Sequence, residues 1–433
     1  MSTKKWSFSR RDDLKTAVFA VTVIILLSAS IYSCRKHVDL SEGEDCSCNY
    51  MTAPGPESNN LGPGDFNANY HGFSARMKPG EKMVMKSQFP HARYISINVY
   101  DENLRPIDAI KDYEIVPSKG ANPFVPGTDR SDDYLGEFEI TVLMEGPPEG
   151  ERAPNTLYAG LNNEGKPNKA AFLGYRVYLV DKGLSYRDGH PRGAYGGVPS
   201  FRVMAYDKDG QPYCPSKLIS KITYYRGATS VLSAFLKQSK GENNERGEPQ
   251  SPPVWHNQYS REGRDENLVV GNDDTIYIST SVSNEFGELL VLDWPAPETP
   301  EASYTGAPIK EDVDMRYWSL AFAYRDPSYF AGFPTETSLS DVDVPRMPGG
   351  NSRLVIGFGG IERPHFVPED QWVGLDMEKG IIIMRNIMVD PDYEGDFGKL
   401  PRGRITGDMA RYTPGGAYCS VEELRKNPEA GIR

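Results

Sequence analysis

Short apolar runs, some of them alternating with polar residues, recur along this chain between turn residues, and helical spacing is rare. The run Tyr94-Ile95-Ser96-Ile97-Asn98-Val99-Tyr100 alternates, as does the stretch from Glu137 to Met144, and both predict strands. Met83-Val84-Met85, Ala171 to Val180 and Phe201 to Tyr206 add further strand-like runs. Turn residues separate them at Pro79-Gly80, Asp101 to Arg105, Asn162-Asn163-Glu164-Gly165 and Asp209-Gly210. The Pro/Gly/Asp-rich segment 122–133 predicts a loop. Apolar residues at helical spacing occur at 228–237 (ATSVLSAFLK), and Ser420, with Glu423 three residues on, has the form of a helix N-cap.

The pattern is written twice. Gly80-Glu81, Met83-Val84-Met85, Phe89-Pro90 and Arg93-Tyr94-Ile95-Ser96 find counterparts, in the same order, in Gly287-Glu288, Leu289-Leu290-Val291-Leu292, Trp294-Pro295 and Arg316-Tyr317-Trp318-Ser319. Farther on, Glu151-Arg152-Ala153-Pro154 matches Glu362-Arg363-Pro364, and Tyr175-Arg176-Val177 with Asp181 matches Met384-Arg385-Asn386 with Asp390. Several pairs in one order indicate duplication, over roughly 70–181 against 277–390. The expected fold is mainly β: two tandem, internally duplicated antiparallel β-sandwich or barrel-like domains with a few short helices. The expected division is 1–34 signal, lipoprotein or anchor segment, 35–69 polar tether, 70–239 first β domain, 240–270 linker and 271–433 second β domain.

Composition fits that class. Aromatic residues make up 11% of the chain, and 42 Gly and 34 Pro supply turns. A net charge of −12 offers no basic face for phosphates, which argues against nucleic acid as a partner. The N-terminus changes the picture more. Lys4, Lys5, Arg10, Arg11 and Lys15 precede an uncharged, mostly apolar run from Thr16 to Tyr32, the pattern of an export signal, short for a membrane span. Ser9-Arg10-Arg11 resembles a twin-arginine signal but has Asp13 where that signal has an apolar residue. Ile31-Tyr32-Ser33-Cys34 resembles a lipobox, with Cys34 as the lipid attachment point; an uncleaved anchor helix is the other reading. The expected address is the cell envelope, held to a membrane by the N-terminus, in the periplasm or as an outer-membrane lipoprotein. Cys46, Cys48, Cys214 and Cys419 then face an oxidising compartment, and one of the first two is expected to pair with Cys214 or Cys419.

Chemistry is thinly marked. The paired arginines Arg93/Arg316, Arg152/Arg363 and Arg176/Arg385 are costly to bury without partners. They either grip an anionic ligand, with Arg316, Arg363 and Arg385 as the candidates, or form ion pairs with acids such as Glu139, Asp181 or Asp390. Asp274 with Tyr277 opens a strand, where a carboxylate acts as a base or an Asx-turn cap, and His365 and His71 are further acid–base candidates. Trp372, with Trp318 and Tyr317, forms either a platform for a sugar-like ligand or core. The six histidines lack metal spacing, Asp390 to Pro401 lacks the final Glu of an EF-hand loop, and Gly160 to Pro167 breaks a phosphate-loop pattern at Pro167. No metal or cofactor is expected.

Gly271-Asn272-Asp273-Asp274-Thr275-Ile276-Tyr277 resembles the Asn-x-Asp-Thr-Leu-Tyr signature of the domain of unknown function 1254. Arg316-Tyr317-Trp318-Ser319-Leu320, with Trp372 and Ile383-Met384-Arg385, is similar to its companion, the domain of unknown function 1214. The resemblance implies a β-rich exported protein and no settled activity. The first copy has Asn67-Ala68-Asn69-Tyr70 in place of the Asp-Thr-x-Tyr stretch. The functional expectation is a membrane-tethered binding or envelope-structural protein. The alternative is an exported enzyme acting on a small anionic or glycosidic substrate in a cleft of the second unit.

Overall fold

The computed structural model describes residues 50–53, 64–214, 248–258, 271–324 and 334–428. The export segment, Cys34, Cys46, Cys48, the helix expected at 228–237 and most of the expected linker lie outside the described residues.

In the first half, the strands are β1 (Tyr50–Ala53), β2 (Ala68–Ala75), β3 (Lys82–Gln88), β4 (Ala92–Tyr100), β5 (Pro106–Lys111), β6 (Pro117–Gly120), β7 (Gly136–Leu143), β8 (Thr156–Tyr158), β9 (Ala171–Val180), β10 (Arg202–Tyr206) and β11 (Pro212–Tyr213). The second half has β12 (His256–Asn257), β13 (Thr275–Ser283), β14 (Leu289–Pro295), β15 (Met315–Tyr324), β16 (Thr335–Ser340), β17 (Asn351–Gly357), β18 (Trp372–Gly374), β19 (Lys379–Val389), β20 (Gly403–Arg404) and β21 (Gly415–Cys419). A short helix, α1 (Val421–Lys426), starts at the expected Ser420, whose side chain and that of Glu423 form a capping box.

Among the described residues these strands make four sheets, ordered β1-β2-β9-β4-β5, β11-β10-β3-β7-β6 with β8 beside β7, β16-β15-β19-β13-β12-β20, and β18-β17-β14-β21. The duplication is explicit in the topology. The order β2-β9-β4-β5 recurs as β13-β19-β15-β16, and β3-β7 with parallel β8 recurs as β14-β17 with parallel β18. Each half is an antiparallel sandwich. Phe73, Ile95, Ile97 and Leu173 meet Met83, Met85, Phe138 and Ile140 in the first core, and Ile278, Trp318, Leu320 and Met384 meet Leu290, Leu292, Leu354 and Ile356 in the second.

Strand β7 behaves as its alternation predicts, with Phe138, Ile140 and Val142 buried and the residues between them half-buried. Strands β4, β9, β15 and β19 do not. Nearly every residue in them is buried, the polar ones included. Their apolar positions fill the sandwich cores, while Tyr94, Ser96, Asn98, Arg176, Tyr317 and Ser319 face the other unit across a seam.

Two connections differ from expectation. The stretch before residue 70, expected to be a tether, supplies β1 on the edge of the first sheet and Asp65, a fully buried residue. Strand β1 takes the place beside β2 that β12 takes beside β13, so the repeated unit starts earlier than the residue pattern indicates. In addition, three residues (89–91) join β3 to β4, whereas 296–314 join β14 to β15. That longer connection straps the first unit: the Ile309 carbonyl accepts from Gly127 N at 2.8 Å, and its side chain, 1% exposed, belongs to the first unit's core. Truncating a buried Ile costs about 2–5 kcal/mol. We expect Ile309→Ala to lower the stability of the first unit by that amount in chemical denaturation, although residue 309 belongs to the second unit's chain segment.

Candidate functional site

The seam between the units is the most elaborate polar region among the described residues. Its centre is a reciprocal exchange. Arg93 on β4 pairs with Asp341, just past β16, and Arg316 on β15 pairs at 3.0 Å with Asp112, just past β5. These are equivalent positions in the two copies, so each unit donates one guanidinium and accepts one. All four side chains are between 0 and 7% exposed. Further hydrogen bonds hold these side chains, although Asp341 Oδ1 is buried without a partner. Arg93 reaches the Ser303 hydroxyl at 3.0 Å, Arg316 reaches the carbonyls of Arg93 and Phe124, and Asp341 accepts from Thr299 at 2.7 Å. Beside the arginines, β9 and β19 kink at Leu179 (φ 47°) and Met388 (φ 50°), whose amides bond the Asn67 and Asp274 carbonyls. Two non-glycine residues in the left-handed region cost about 1–2 kcal/mol each, and both copies keep that kink.

A second exchange lies below the first. Register places Tyr70, Arg176 and Ser96 side by side on three strands, and Tyr277, Arg385 and Ser319 likewise. The hydroxyls of Tyr317 and Ser319 donate to the Asp65 carboxylate at 2.8 and 2.6 Å. In the other direction Ser96 donates to the Asn272 amide oxygen at 2.8 Å, and the Asn272 amide donates to Tyr94 at 3.1 Å. Asp65 precedes Tyr70 by five residues and Asn272 precedes Tyr277 by five, so the copies place a carboxylate and an amide at one position. Each guanidinium also stacks on a phenol, Arg176 on Tyr100 and Arg385 on Tyr277.

Asp274 joins this seam. It is half-buried and accepts from the Tyr94 hydroxyl at 2.8 Å. Burial pushes its carboxyl up to about 6, against that hydrogen bond and the nearby Lys111. Burial likewise pushes Asp112 up to about 7, opposed by Arg316 and reinforced by the Asp274 charge. Arg130 adds a further tie, bonding Asp181 of its own unit and the Ser303 carbonyl of the other.

The other candidates lie elsewhere. Arg363 is exposed and donates to the Val367 carbonyl at 2.6 Å; His365 is exposed beside a shallow groove with Phe366, Glu422 and Arg425. Trp372 lies over Gly357, where an added Cβ would come within 2.2 Å of its ring, so it packs as outer core. Arg363, His365 and Trp372 therefore do not join Asp274, Tyr277, Arg316 and Arg385 in one site. His71 is buried between Tyr175 and Tyr195, with Nε2 2.7 Å from the Ala194 carbonyl. The ion pairs exist, but with other acids than expected: Arg152 pairs with Asp108, while Glu139 pairs with Lys86 and Asp181 with Arg130. Cys214 is disulfide-bonded and Cys419 is a buried free thiol, so the Cys214 partner lies outside the described residues. Among the described residues no cluster of His, Cys, Asp and Glu could hold a metal ion. Residues that sequence reasoning passed over, Asp65, Asp112 and Asp341, complete the seam; only the five-residue spacing to Tyr70 could have pointed to Asp65.

No family model and no curated protein matches the chain. Among solved structures, the chain is similar to a putative uncharacterized protein from Burkholderia cenocepacia, with a TM-score of 0.48 and 13% identity over 88% of this chain and 86% of that one. It is also similar to a protein from Vibrio parahaemolyticus, with a TM-score of 0.39 and 8% identity over 79% of this chain and 90% of that one. Neither likeness carries an argument about function.

Two outcomes follow from the buried groups. Asp112→Ala strands the Arg316 charge and is expected to cost about 3–5 kcal/mol in chemical denaturation, whereas Asp112→Leu with Arg316→Met together should recover most of that loss. Burial lowers the His71 imidazole to about 4. Its folded value lies below the unfolded one of 6.5, so the unfolded chain takes up the proton first and stability is lost as pH falls from about 6.5 to 4. Asp112 and Asp274, raised instead, act in the opposite sense over the same range. The comparison of wild type with His71→Phe isolates the histidine: wild type should lose up to about 3 kcal/mol relative to the variant across that window.

Proposed function

We propose that this protein is exported, is held to a membrane by its N-terminus, and serves as a binding or structural module of the cell envelope. On the residues Asn272 to Tyr277 and Arg316 to Leu320, we take it to be a relative of the tandem domains of unknown function 1254 and 1214. The observation that carries the non-catalytic reading is the seam. Arg93 and Arg316 are each joined to an acid of the opposite unit, and Asp274 and Tyr277 lie apart from the exposed His365 and Arg363. An enzyme acting on an anionic or glycosidic substrate needs several of these groups around one reacting atom. Asp274 is the observation on the side of that second reading, since a half-buried carboxyl near 6 is suited to proton transfer.

The proposed partners are the membrane and a small anionic or sugar-like ligand, without nucleic acid. The tether rests on the basic leader, the apolar run from Thr16 to Tyr32 and Cys34. Among the described residues, no helix is long and apolar enough to cross a membrane. Mass spectrometry of the protein purified from its native envelope should find a mature chain that begins at Cys34 and carries added acyl mass, recovered with the membrane fraction. An intact Met1 in that fraction would replace the lipid with an uncleaved anchor, and recovery in the soluble fraction would overturn the tether.

A further inference from the structure

Asp65 has no exposure to solvent, and its carboxylate is taken up mainly by side chains of the other unit. Oδ2 accepts from Tyr317 at 2.8 Å and from Ser319 at 2.6 Å; Oδ1 accepts from Ser338 at 3.4 Å and from the Asn67 amide at 2.9 Å. The buried guanidinium of Arg385 lies within electrostatic reach of the same charge. Three hydroxyls and one cation, on the adjacent strands β16, β15 and β19, are therefore set around a single carboxylate in a dry interior. Donors held in that way, away from competing water, favour a charged oxygen over a neutral one.

Apart from the Asn67 backbone N–H, which is local, these donors come from the unit opposite the one that carries Asp65. The carboxylate enters from the segment just before β2, seated by a bond from Thr335 to the Gly64 carbonyl at 3.1 Å and one from the Phe66 amide to Ser338 at 2.7 Å. The equivalent position of the other copy shows that the architecture does not itself demand a charge. There Tyr94, Ser96 and Asn98 surround the Asn272 amide. At this position the carboxylate is thus a property of one side only.

We propose that Tyr317, Ser319, Ser338 and Arg385 form a binding cradle for a small carboxylate, which the chain fills with its own Asp65 as a plug. The plug is covalently attached and so competes at high effective concentration; a free carboxylate enters when the segment carrying Asp65 is withdrawn. This gives a ligand class to the binding role proposed above, and its test is independent of export or tethering.

The experiment removes the plug from the full chain. Asp65→Ala should melt below wild type, and formate or acetate should raise its melting temperature saturably, recovering at least half of the loss beyond the effect of chloride at equal ionic strength. Wild type, and Asp65→Ala combined with Ser319→Ala, should show only the chloride-like response. Formate acting no better than chloride, or raising all three proteins alike, would overturn the cradle. Should Asp65→Ala fail to fold, a double-mutant cycle of Asp65→Asn with Ser319→Ala decides. A double variant clearly less impaired than the sum of the singles supports the cradle, and additive losses reject it.

Discussion

A guanidinium buried inside a protein keeps its charge, and an anion that meets it there offsets much of the cost of burial. For Arg93 and Arg316 the anion comes from the other unit, whereas buried Arg130 meets Asp181 of its own. Arg93 requires Asp341 and Arg316 requires Asp112, and neither unit meets the need of its own arginine with these acids. Such pairs add little net stability over well-packed apolar groups, but losing one partner is expensive. They join two sandwiches that also meet through a small apolar and aromatic cluster, in which Tyr94, Tyr178 and Leu179 pack with Tyr317 and Ile387. The seam hydroxyls, the kinks at Leu179 and Met388, and the strap that delivers Ile309 into the first core are all arranged around that junction.

The seam has the logic of a two-fold interface folded into one chain, because the same positions do the same work in both directions. The copies have since diverged in ways that bear on chemistry. Asp65 stands where the other copy has Asn272, and Asp274 stands where the other has Asn67. Each unit therefore places one carboxylate at the seam, but at different depths. Asp65 is sealed among hydroxyls, whereas Asp274 is half-buried and raised in pKa. The second unit also covers the outer face of its smaller sheet with α1 and the loop bearing Phe366 and Val367, placing Leu289, Val291 and Val355 in a separate apolar cluster.

Much of the fold was legible along the chain. The alternation of β7, the turns at Gly80 and Gly210, the cap at Ser420 and the order of the repeat all appear in the structure where residue patterns put them. The candidate site was legible only in part. Alternation in Tyr94 to Tyr100 looks the same whether the polar face meets water or another protein surface. Every residue of β4 proved to be buried for that reason. Likewise, Arg363 repeats Arg152 in sequence but not in role, since Arg152 pairs with an acid and also stacks on Tyr158 while Arg363 caps a nearby carbonyl.

The sequence by itself determined the strands, their turns and the fact of duplication, because side-chain period and turn chemistry are local properties. It also showed that arginines recur at matched places. Which acids answer them was decided by tertiary structure alone. Arg93 and Asp341 lie 248 positions apart, and Tyr317 and Asp65 lie 252 apart. No local pattern records a partner at that range; it is set when two sheets, each with a polar face it cannot leave dry and alone, close against each other.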